Sequence, residues 1–270
     1  MKKEIFRFFI AGIVFFTLTS WGSTGHRIIS LQLELFFNPE MEFYASWIPY
    51  ISDHSSDADW RKKTDPDEFP KHFIDLDNYP SFKHDGSISQ DLDSCITVYG
   101  SAFMDQNGYL PWATISTYDS LVHCLKNGDT KNGKRFAADL SHYVADGHMP
   151  LHLTRNYDGQ YSENTGIHFR YEIEMIDRYE EQITYEGKPA MKVDNAAEYI
   201  FNYLYFNYIY ADSVLQADDY ARNIAPDPET DAYYEALWES TEYLTRNMYR
   251  DASHAFSNLL YTAWIEAGKP

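Results

Sequence analysis

Residues 142–152 read HYVADGHMPLH, which places three histidines and one aspartate within eleven positions. Side chains four residues apart on an α-helix share one face, so we expect His142 and Asp146 to point in the same direction. Pro150 cannot continue a regular helix, and the chain should bend there and bring His152 close to the first pair. The spacing therefore favours a helix that contributes ligands to two adjacent metal sites.

The same stretch also has an ordinary interpretation. A single histidine on a helix is more often a core or surface side chain than a metal ligand. His148 lies two residues from Asp146, about 200° around the helix, and is expected to face away from the other candidates. The metal interpretation therefore depends on ligands elsewhere in the chain.

The composition and the apolar periodicity indicate one all-α domain. Hydrophobic residues make up 44% of the 270 residues, which is enough for a sizeable core. Apolar residues recur at intervals of three and four, and no convincing alternating strands are present. The predicted helices are 25–37, 91–103, 112–125, 134–145, 168–183, 196–212 and 230–264, with loops at 53–70, 76–90, 105–111 and 153–167. The last of these, 230–264, is too long for a single helix and is expected to contain a break.

The first twenty residues have the pattern of a secretory signal peptide. Lys2, Lys3 and Arg7 precede an apolar run at 8–18, and small polar residues follow it. The run is shorter than the roughly 20 residues that a membrane span requires. We therefore expect a secreted or periplasmic protein without a stable membrane anchor. The mature domain would cover residues 21–270 and act as a monomer.

The chain is strongly acidic, with a formal net charge of −19. Removal of residues 1–20 takes away three basic residues and one acidic residue, which leaves −21. An acidic surface repels phosphate backbones and argues against non-specific binding of duplex nucleic acid. It does not exclude an enzyme that attracts a phosphodiester through buried cations.

Only two cysteines are present, Cys95 and Cys124. Export would permit a disulfide between them, and two buried free thiols are equally compatible with the sequence. Neither has the spacing of a zinc knuckle. Any metal ion must therefore be bound by His, Asp and Glu.

Two further pairs of histidine and acid complete the candidate ligands. Asp59 precedes His72 by thirteen residues, and His168 and Glu172 are four apart on one helical face. Removal of residues 1–20 would also expose the amine of Trp21, a good nitrogen ligand once it is neutral, five residues before His26.

Together these residues resemble the superfamily of zinc-dependent phospholipases C and fungal and plant single-strand-specific nucleases. Those proteins are exported all-α enzymes that begin with Trp after processing and bind three zinc ions. The resemblance covers nearly the whole mature chain, with a candidate for every ligand position in order. It implies Asp59, His72, His142 and Asp146 at the first zinc, His152, His168 and Glu172 at the second, and the amine and carbonyl of Trp21, His26 and the shared Asp146 at the third. Asp57 could replace Asp59, but the family's acid usually follows Ala or Pro, as Asp59 follows Ala58 here.

The resemblance implies hydrolysis of phosphoric ester bonds by a metal-activated hydroxide. Asp146 has two carboxylate oxygens and could bridge two cations, whose joint effect lowers the pKa of a shared water. Asp59 could orient that water as a general base, although a purely ligating role is favoured.

Three features favour a phospholipase C-like enzyme by a narrow margin. Glu172 stands where the nucleases usually have Asp, and the separation of the two histidines of the second site is short. Trp60 and Phe69 fall where bacterial phospholipases C surround choline with aromatic rings. Against this, Thr24 replaces an acidic residue that those enzymes use.

Two other features favour the alternative, a single-strand-specific nuclease or 3′-nucleotidase. Lys62 falls where the nucleases have a lysine that contacts phosphate, and Asp158-Gly159-Gln160 loosely matches their base-binding loop. Phe73 and Asp75 occur in both branches and do not separate them. The remaining hypotheses are a non-catalytic, zinc-stabilised binding protein and a helical interaction protein.

Overall fold

Helices provide all the regular secondary structure of residues 22–270, the part of the chain that the computed structural model describes. The predicted all-α fold is confirmed. The α-helices are α1 Ser23–Leu31, α2 Glu42–Ala45, α3 Ile48–Asp53, α4 Asp57–Arg61, α5 Pro80–Asp85, α6 Leu92–Tyr99, α7 Ser101–Asn107, α8 Leu110–Lys126, α9 Thr130–Asp146, α10 Ile167–Phe169, α11 Met175–Tyr179, α12 Ala196–Tyr208, α13 Ala211–Ile224 and α14 Asp231–Glu266. A π-helical segment covers Arg170–Glu174, and 3₁₀ segments cover Gln32–Phe36, Pro39–Met41, Phe69–His72, Leu76–Asn78, Pro150–Leu153 and Glu180–Gln182.

Helix α9 is the central element, and its last eleven residues include ten that are buried in succession. It packs against α1, α3, α8 and α14. The carboxylate of Asp129 caps its first turn by accepting a hydrogen bond from the amide of Asn132. The chain leaves the helix before Pro150, which opens the 3₁₀ segment Pro150–Leu153. The predicted bend therefore occurs where the helix ends, and it places His152 beside the end of α9.

The end of α9 is fixed against α12. A Cβ atom at Gly147 would lie 2.7 Å from Tyr203 and 2.8 Å from Leu204, so only glycine allows this close approach. The carbonyl of Gly147 also accepts a hydrogen bond from Asn207. This contact holds the carboxyl end of α9, and with it Asp146, in a fixed position.

The break predicted within 230–264 is wrong, because α14 continues over 36 residues. The segment contains no Gly or Pro that would interrupt the helix. Its length lets α14 contact α13 through one part and α1, α8 and α9 through another.

Helix α13 was not predicted from the sequence. Its buried positions include Ala211, Ala217, Asp218 and Ala221, so small and acidic residues mask the apolar pattern. Four predicted helices are not continuous α-helices: 25–37 passes from α1 into the 3₁₀ segment Gln32–Phe36, 91–103 breaks at Gly100, where φ is 83°, 168–183 contains the π-helical segment, and 196–212 breaks between α12 and α13. Gly100 is suited to that break because it adopts a positive φ without strain.

Two apolar cores meet near the carboxyl end of α9. One includes Val144, and the other includes Ala145 and Leu151. Cys95 and Cys124 are both buried free thiols. No helix within residues 22–270 is long and apolar enough to cross a membrane. The predicted signal peptide and Trp21 lie outside the described residues.

Candidate metal centre

Asp146 lies at the centre of a buried cluster of histidines and carboxylates. Its side chain is completely buried at the last position of α9. Its Oδ2 lies 2.9 Å from Nδ1 of His72 and 3.3 Å from Nε2 of His142. Its Oδ1 faces the other way, 3.4 Å from Nδ1 of His152 and 3.8 Å from Nε2 of His26. The two oxygens of one carboxylate therefore face different sets of histidines.

The first group consists of Asp59, His72 and His142. They come from α4, the end of the 3₁₀ segment Phe69–His72, and α9. Asp59 Oδ1 lies 3.6 Å from His142 Nε2 and 3.7 Å from His72 Nδ1, and these two nitrogens are 2.9 Å apart. Three separate elements thus bring their ligand atoms to one point.

The second group consists of His152, His168 and Glu172. The Nε2 atoms of the two histidines lie 3.2 Å apart. Glu172 Oε2 is 2.6 Å from His168, and Oε1 is 3.5 Å from His152. Glu172 lies in the π-helical segment, a helical irregularity that is often found at functional sites.

The third group consists of His26, His142 and Asp146. His26 is completely buried on α1, and its ring stacks on that of His142 with centroids 3.9 Å apart. Neither of its ring nitrogens makes a hydrogen bond with another described residue. Trp21, the predicted partner of His26, lies outside the described residues.

The three groups fit metal ions in both geometry and chemistry. Zinc binds nitrogen and oxygen at about 2.0–2.2 Å, which places tetrahedral ligand atoms roughly 3.3 Å apart, close to the separations above. Among the described residues, Oδ1 of Asp146 and both carboxylate oxygens of Glu172 are buried without a hydrogen bond. Buried polar atoms without partners are strongly unfavourable unless a cation or a water satisfies them. The buried His, Asp and Glu groups could therefore hold metal ions.

The cluster excludes two nearby residues. Asp57 pairs with His54 at 2.8 Å and stands outside all three groups, whereas Asp59 belongs to the first group. Nδ1 of His148 donates a hydrogen bond to the carbonyl of Val144, and its ring stacks on Tyr203, so His148 faces away from the ligands.

Charge within the cluster shifts the pKa of several groups. Burial alone would raise the pKa of Asp146, but His142 and His152 hold it well below its usual value. Burial would lower the pKa of His142, but Asp146 and Asp59 stabilise its charged form and raise that pKa to about 9. Burial and the neighbouring His142 lower the pKa of His26. His26 is therefore neutral and ready to act as a ligand, while His142 must release a proton to bind a metal ion.

A second layer of polar groups orients the histidine rings. Nδ1 of His142 lies 2.7 Å from the carbonyl of Ser55, and Nδ1 of His168 lies 3.2 Å from that of Tyr157. On the far side of His72, Nε2 faces Glu68 Oε1 at 3.6 Å. Such partners fix the tautomer of a ligating histidine and leave the other nitrogen available to a metal ion.

A cavity of about 200 Å³ opens onto three of the histidines. Its chemistry is mixed, since aromatic and apolar side chains surround a lysine and a carboxyl group. Burial, together with the nearby Asp77, raises the pKa of Asp75 to about 7. The lining comprises Lys62, Phe69, His72, Phe73, Asp75, Gln106, Leu151, His152, Tyr157 and His168.

The three residues predicted to bind substrate have different positions. Lys62 and Phe69 line the cavity, and Lys62 Nζ lies 2.7 Å from Asp59 Oδ1. Trp60 is outside the lining and 60% exposed, with Lys63 Nζ 3.9 Å from its ring centroid. The amide of Gln160 donates to the carbonyl of Arg155 within its own loop.

Sequence reasoning missed several residues around the cluster. Gln106 and Tyr157 line the cavity, and Glu68 lies behind His72. Only Glu68 had a local signal, its position four residues before His72. The other two are brought in by packing alone.

Comparison with known proteins adds no family assignment, because the chain matches no family model and no curated protein.

Proposed function

We propose that this protein is a zinc-dependent phosphodiesterase of the superfamily that its sequence resembles. The observation that carries the proposal is the arrangement of three ligand groups around Asp146, two of which contribute histidines to the wall of one cavity. A binding protein needs zinc only to hold its fold, and structural zinc sites are closed by four protein ligands. Here His72, His152 and His168 also line the cavity, as expected if a substrate approaches the metal ions.

The ligand chemistry favours zinc. Imidazole and carboxylate ligands suit this ion, which has no redox chemistry of its own. Zinc ions held by these residues would supply a water of lowered pKa and positive charge beside the phosphoryl oxygens. Asp146 would join the neighbouring metal sites through its two carboxylate oxygens. Asp59 holds the first site, and Lys62 can contact a phosphate oxygen from the cavity wall.

The proposal includes three zinc ions and export of the protein. The third ion requires the amine of Trp21, which only removal of residues 1–20 would expose. A protein that retains extra residues before Trp21 should therefore bind two zinc ions, and the processed protein three. Three ions in both forms would contradict an N-terminal ligand.

The cavity supports a nucleotide-like substrate better than a choline head group, which reverses the narrow preference of the sequence. Lys62 lines the cavity and, although it pairs with Asp59 at 2.7 Å, places a cation where a quaternary ammonium group would have to bind. Trp60, the ring expected to contact choline, lies outside and already faces Lys63. A planar base could instead pack against Phe69 and the other aromatic rings of the lining. A phospholipase C-like activity is the second candidate, favoured by those same rings.

The decisive experiment compares two neighbouring acids. Asp59→Asn should lose zinc from the first site and most hydrolysis of bis-p-nitrophenyl phosphate. Asp57→Asn, on the same helix but paired with His54, should retain both. A chelator should abolish the wild-type activity, and zinc should restore it. A wild-type protein that binds zinc without hydrolysing any phosphoric ester would instead support the non-catalytic zinc protein. A purified protein without bound zinc would instead support the hypothesis of a helical interaction protein.

The substrate class is tested with phosphatidylcholine, single-stranded DNA, RNA and 3′-nucleotides in parallel. We expect the nucleic acids or nucleotides to be hydrolysed fastest. Preferential hydrolysis of phosphatidylcholine would reverse that assignment while leaving the metal chemistry intact.

A further inference from the structure

Glu68 is a buried carboxylate immediately before the 3₁₀ segment that ends in His72. Its side chain is only 3% exposed, so an unpaired charge there would be strongly unfavourable. Four neighbours compensate the charge. Oε1 accepts hydrogen bonds from Arg61 at 3.2 Å and from the hydroxyl of Tyr143, while Oε2 accepts one from Lys71 at 3.0 Å. The fourth neighbour is His72, whose buried Nε2 lies 3.6 Å from Oε1, at ion-pair distance, and makes no hydrogen bond with another described residue.

These contacts connect the three elements that supply the first ligand group. Arg61 lies on α4 with Asp59, and Tyr143 follows His142 on α9. Arg61 also pairs with Asp139 on α9 at 2.8 Å. We call Glu68, Arg61, Lys71, Tyr143 and Asp139 the Glu68 cluster.

The position of Glu68 relative to the imidazole of His72 is specific. Nδ1 of His72 faces Asp146 at 2.9 Å, on the side of the ligand group, and Nε2 faces Glu68 on the opposite side. A carboxylate behind a ligating histidine accepts the remote N–H, holds the ring in one orientation and increases the basicity of the ligating nitrogen. At His142 and His168 a backbone carbonyl occupies the corresponding place.

We propose that Glu68 is a positioning residue that holds His72 with Nδ1 toward the metal ion and thereby strengthens binding at the first site alone. This inference rests on the proposed function, because it requires the Asp59, His72 and His142 group to bind zinc. It assigns no contact between Glu68 and the substrate.

The test uses Glu68→Gln, which removes the charge but keeps an acceptor of similar shape. Zinc affinity is measured by competition with a chelator, and the site is identified by the visible absorption spectrum of the cobalt-substituted protein. We expect one zinc ion to bind about 10- to 100-fold more weakly, with the others unchanged and an altered cobalt spectrum. The control is Lys71→Gln, which removes a different partner of Glu68 and should leave affinity and spectrum near wild type.

A second measurement does not depend on the folding of a variant. In the zinc-loaded wild-type protein, long-range ¹H–¹⁵N correlation should show His72 protonated at Nε2 and unprotonated at Nδ1. The reverse tautomer would overturn the inference.

The outcomes separate the inference from the proposed function. If Glu68→Gln lowers thermal stability but changes neither zinc affinity nor the cobalt spectrum, Glu68 is only structural and the inference is wrong. Equal weakening of all the zinc ions would also overturn it. If the wild-type protein binds no zinc, the proposed function itself fails.

Discussion

Two buried charged clusters support opposite sides of the candidate metal centre, and they act at different distances from the ligands. The Glu68 cluster contacts His72 directly. On the other side, Arg170 lies between His168 and Glu172 in sequence but points away from them. Its guanidinium pairs with Asp218 at 3.0 Å and donates to the hydroxyl of Tyr233 at 2.9 Å.

The second cluster acts through the backbone. Arg170 donates to the carbonyls of Thr165 at 3.0 Å and Asn164 at 3.3 Å, at the end of the loop that precedes α10. Asp218 also accepts hydrogen bonds from the side chains of Asn164 and Tyr233. We call Arg170, Asp218, Asn164 and Tyr233 the Arg170 cluster. One side of the centre is therefore supported by a direct contact with a ligand, His72. The other side is supported by contacts that fix the backbone carrying His168 and Glu172.

The largest effect is expected from Asp146, where the two sides meet. Asp146→Asn should weaken zinc binding on both sides and reduce phosphodiester hydrolysis by more than about 100-fold, since even loss of an outer partner of a ligand can cost that much. Metal analysis and kinetics measure this result. Unchanged metal content would contradict the bridging role of Asp146 and leave two independent sites.

Asp218→Asn should mainly lower the free energy of unfolding. It leaves the buried charge of Arg170 without its carboxylate, a change that typically costs about 3–5 kcal/mol. Denaturant unfolding of the metal-free protein measures it. The matched control is Asp219→Asn, because Asp219 is exposed and accepts a hydrogen bond from Asn164 at 2.8 Å. Its loss should cost less than about 1 kcal/mol. Equal, small effects would show that the Arg170 cluster does not hold the fold.

Gly166→Ala should perturb the Arg170 cluster more mildly. Gly166 has φ of 88°, and a Cβ atom there would lie 2.6 Å from Nη1 of Arg170. Gly86 has φ of 71° but open space around it, so Gly86→Ala measures the backbone penalty alone, about 1–2 kcal/mol. We expect Gly166→Ala to cost about 1–3 kcal/mol more, because the guanidinium must move. Equal losses in thermal unfolding would mean that Arg170 adjusts freely.

Local patterns in the sequence account for much of the centre, because the pairs His142 and Asp146, and His168 and Glu172, depend only on helical spacing. The all-α fold follows from the same periodicity. The supporting clusters were not predictable, since their partners are distant: Tyr143 is 75 residues from Glu68, and Asp218 is 48 residues from Arg170. Asp218 also occupies the buried face of α13, where an acidic residue interrupts the apolar pattern that would predict the helix. The substrate role that the resemblance implies for Trp60 stays a prediction, and its exposed ring lies beside Lys63 outside the cavity.

The smallest expected effect is the pH dependence that Glu68 gives to stability. Burial would raise the pKa of Glu68, but the nearby His72 and hydrogen bonds from Tyr143, Lys71 and Arg61 lower it below its usual value of 4.5. A carboxyl group whose pKa is lowered by folding stabilises the protein fully above the unfolded pKa, and that stabilisation is lost as the pH falls below it. The difference in unfolding free energy between the metal-free wild type and Glu68→Gln should therefore be constant from neutral pH down to about 4.5.

Below that value the difference should shrink, because Glu68 takes up a proton in the unfolded wild type before it does so in the folded protein, whereas glutamine does not titrate. Denaturant unfolding at a series of pH values measures both limbs. If the stability of the wild type relative to Glu68→Gln instead increases as the pH falls from neutral to 4.5, the pKa of Glu68 is raised and its partners do not offset its burial. The carboxylate of Glu68 would then be an uncompensated charge beside His72. The Glu68 cluster would differ from the Arg170 cluster in its burial and not in the direct support of a ligand.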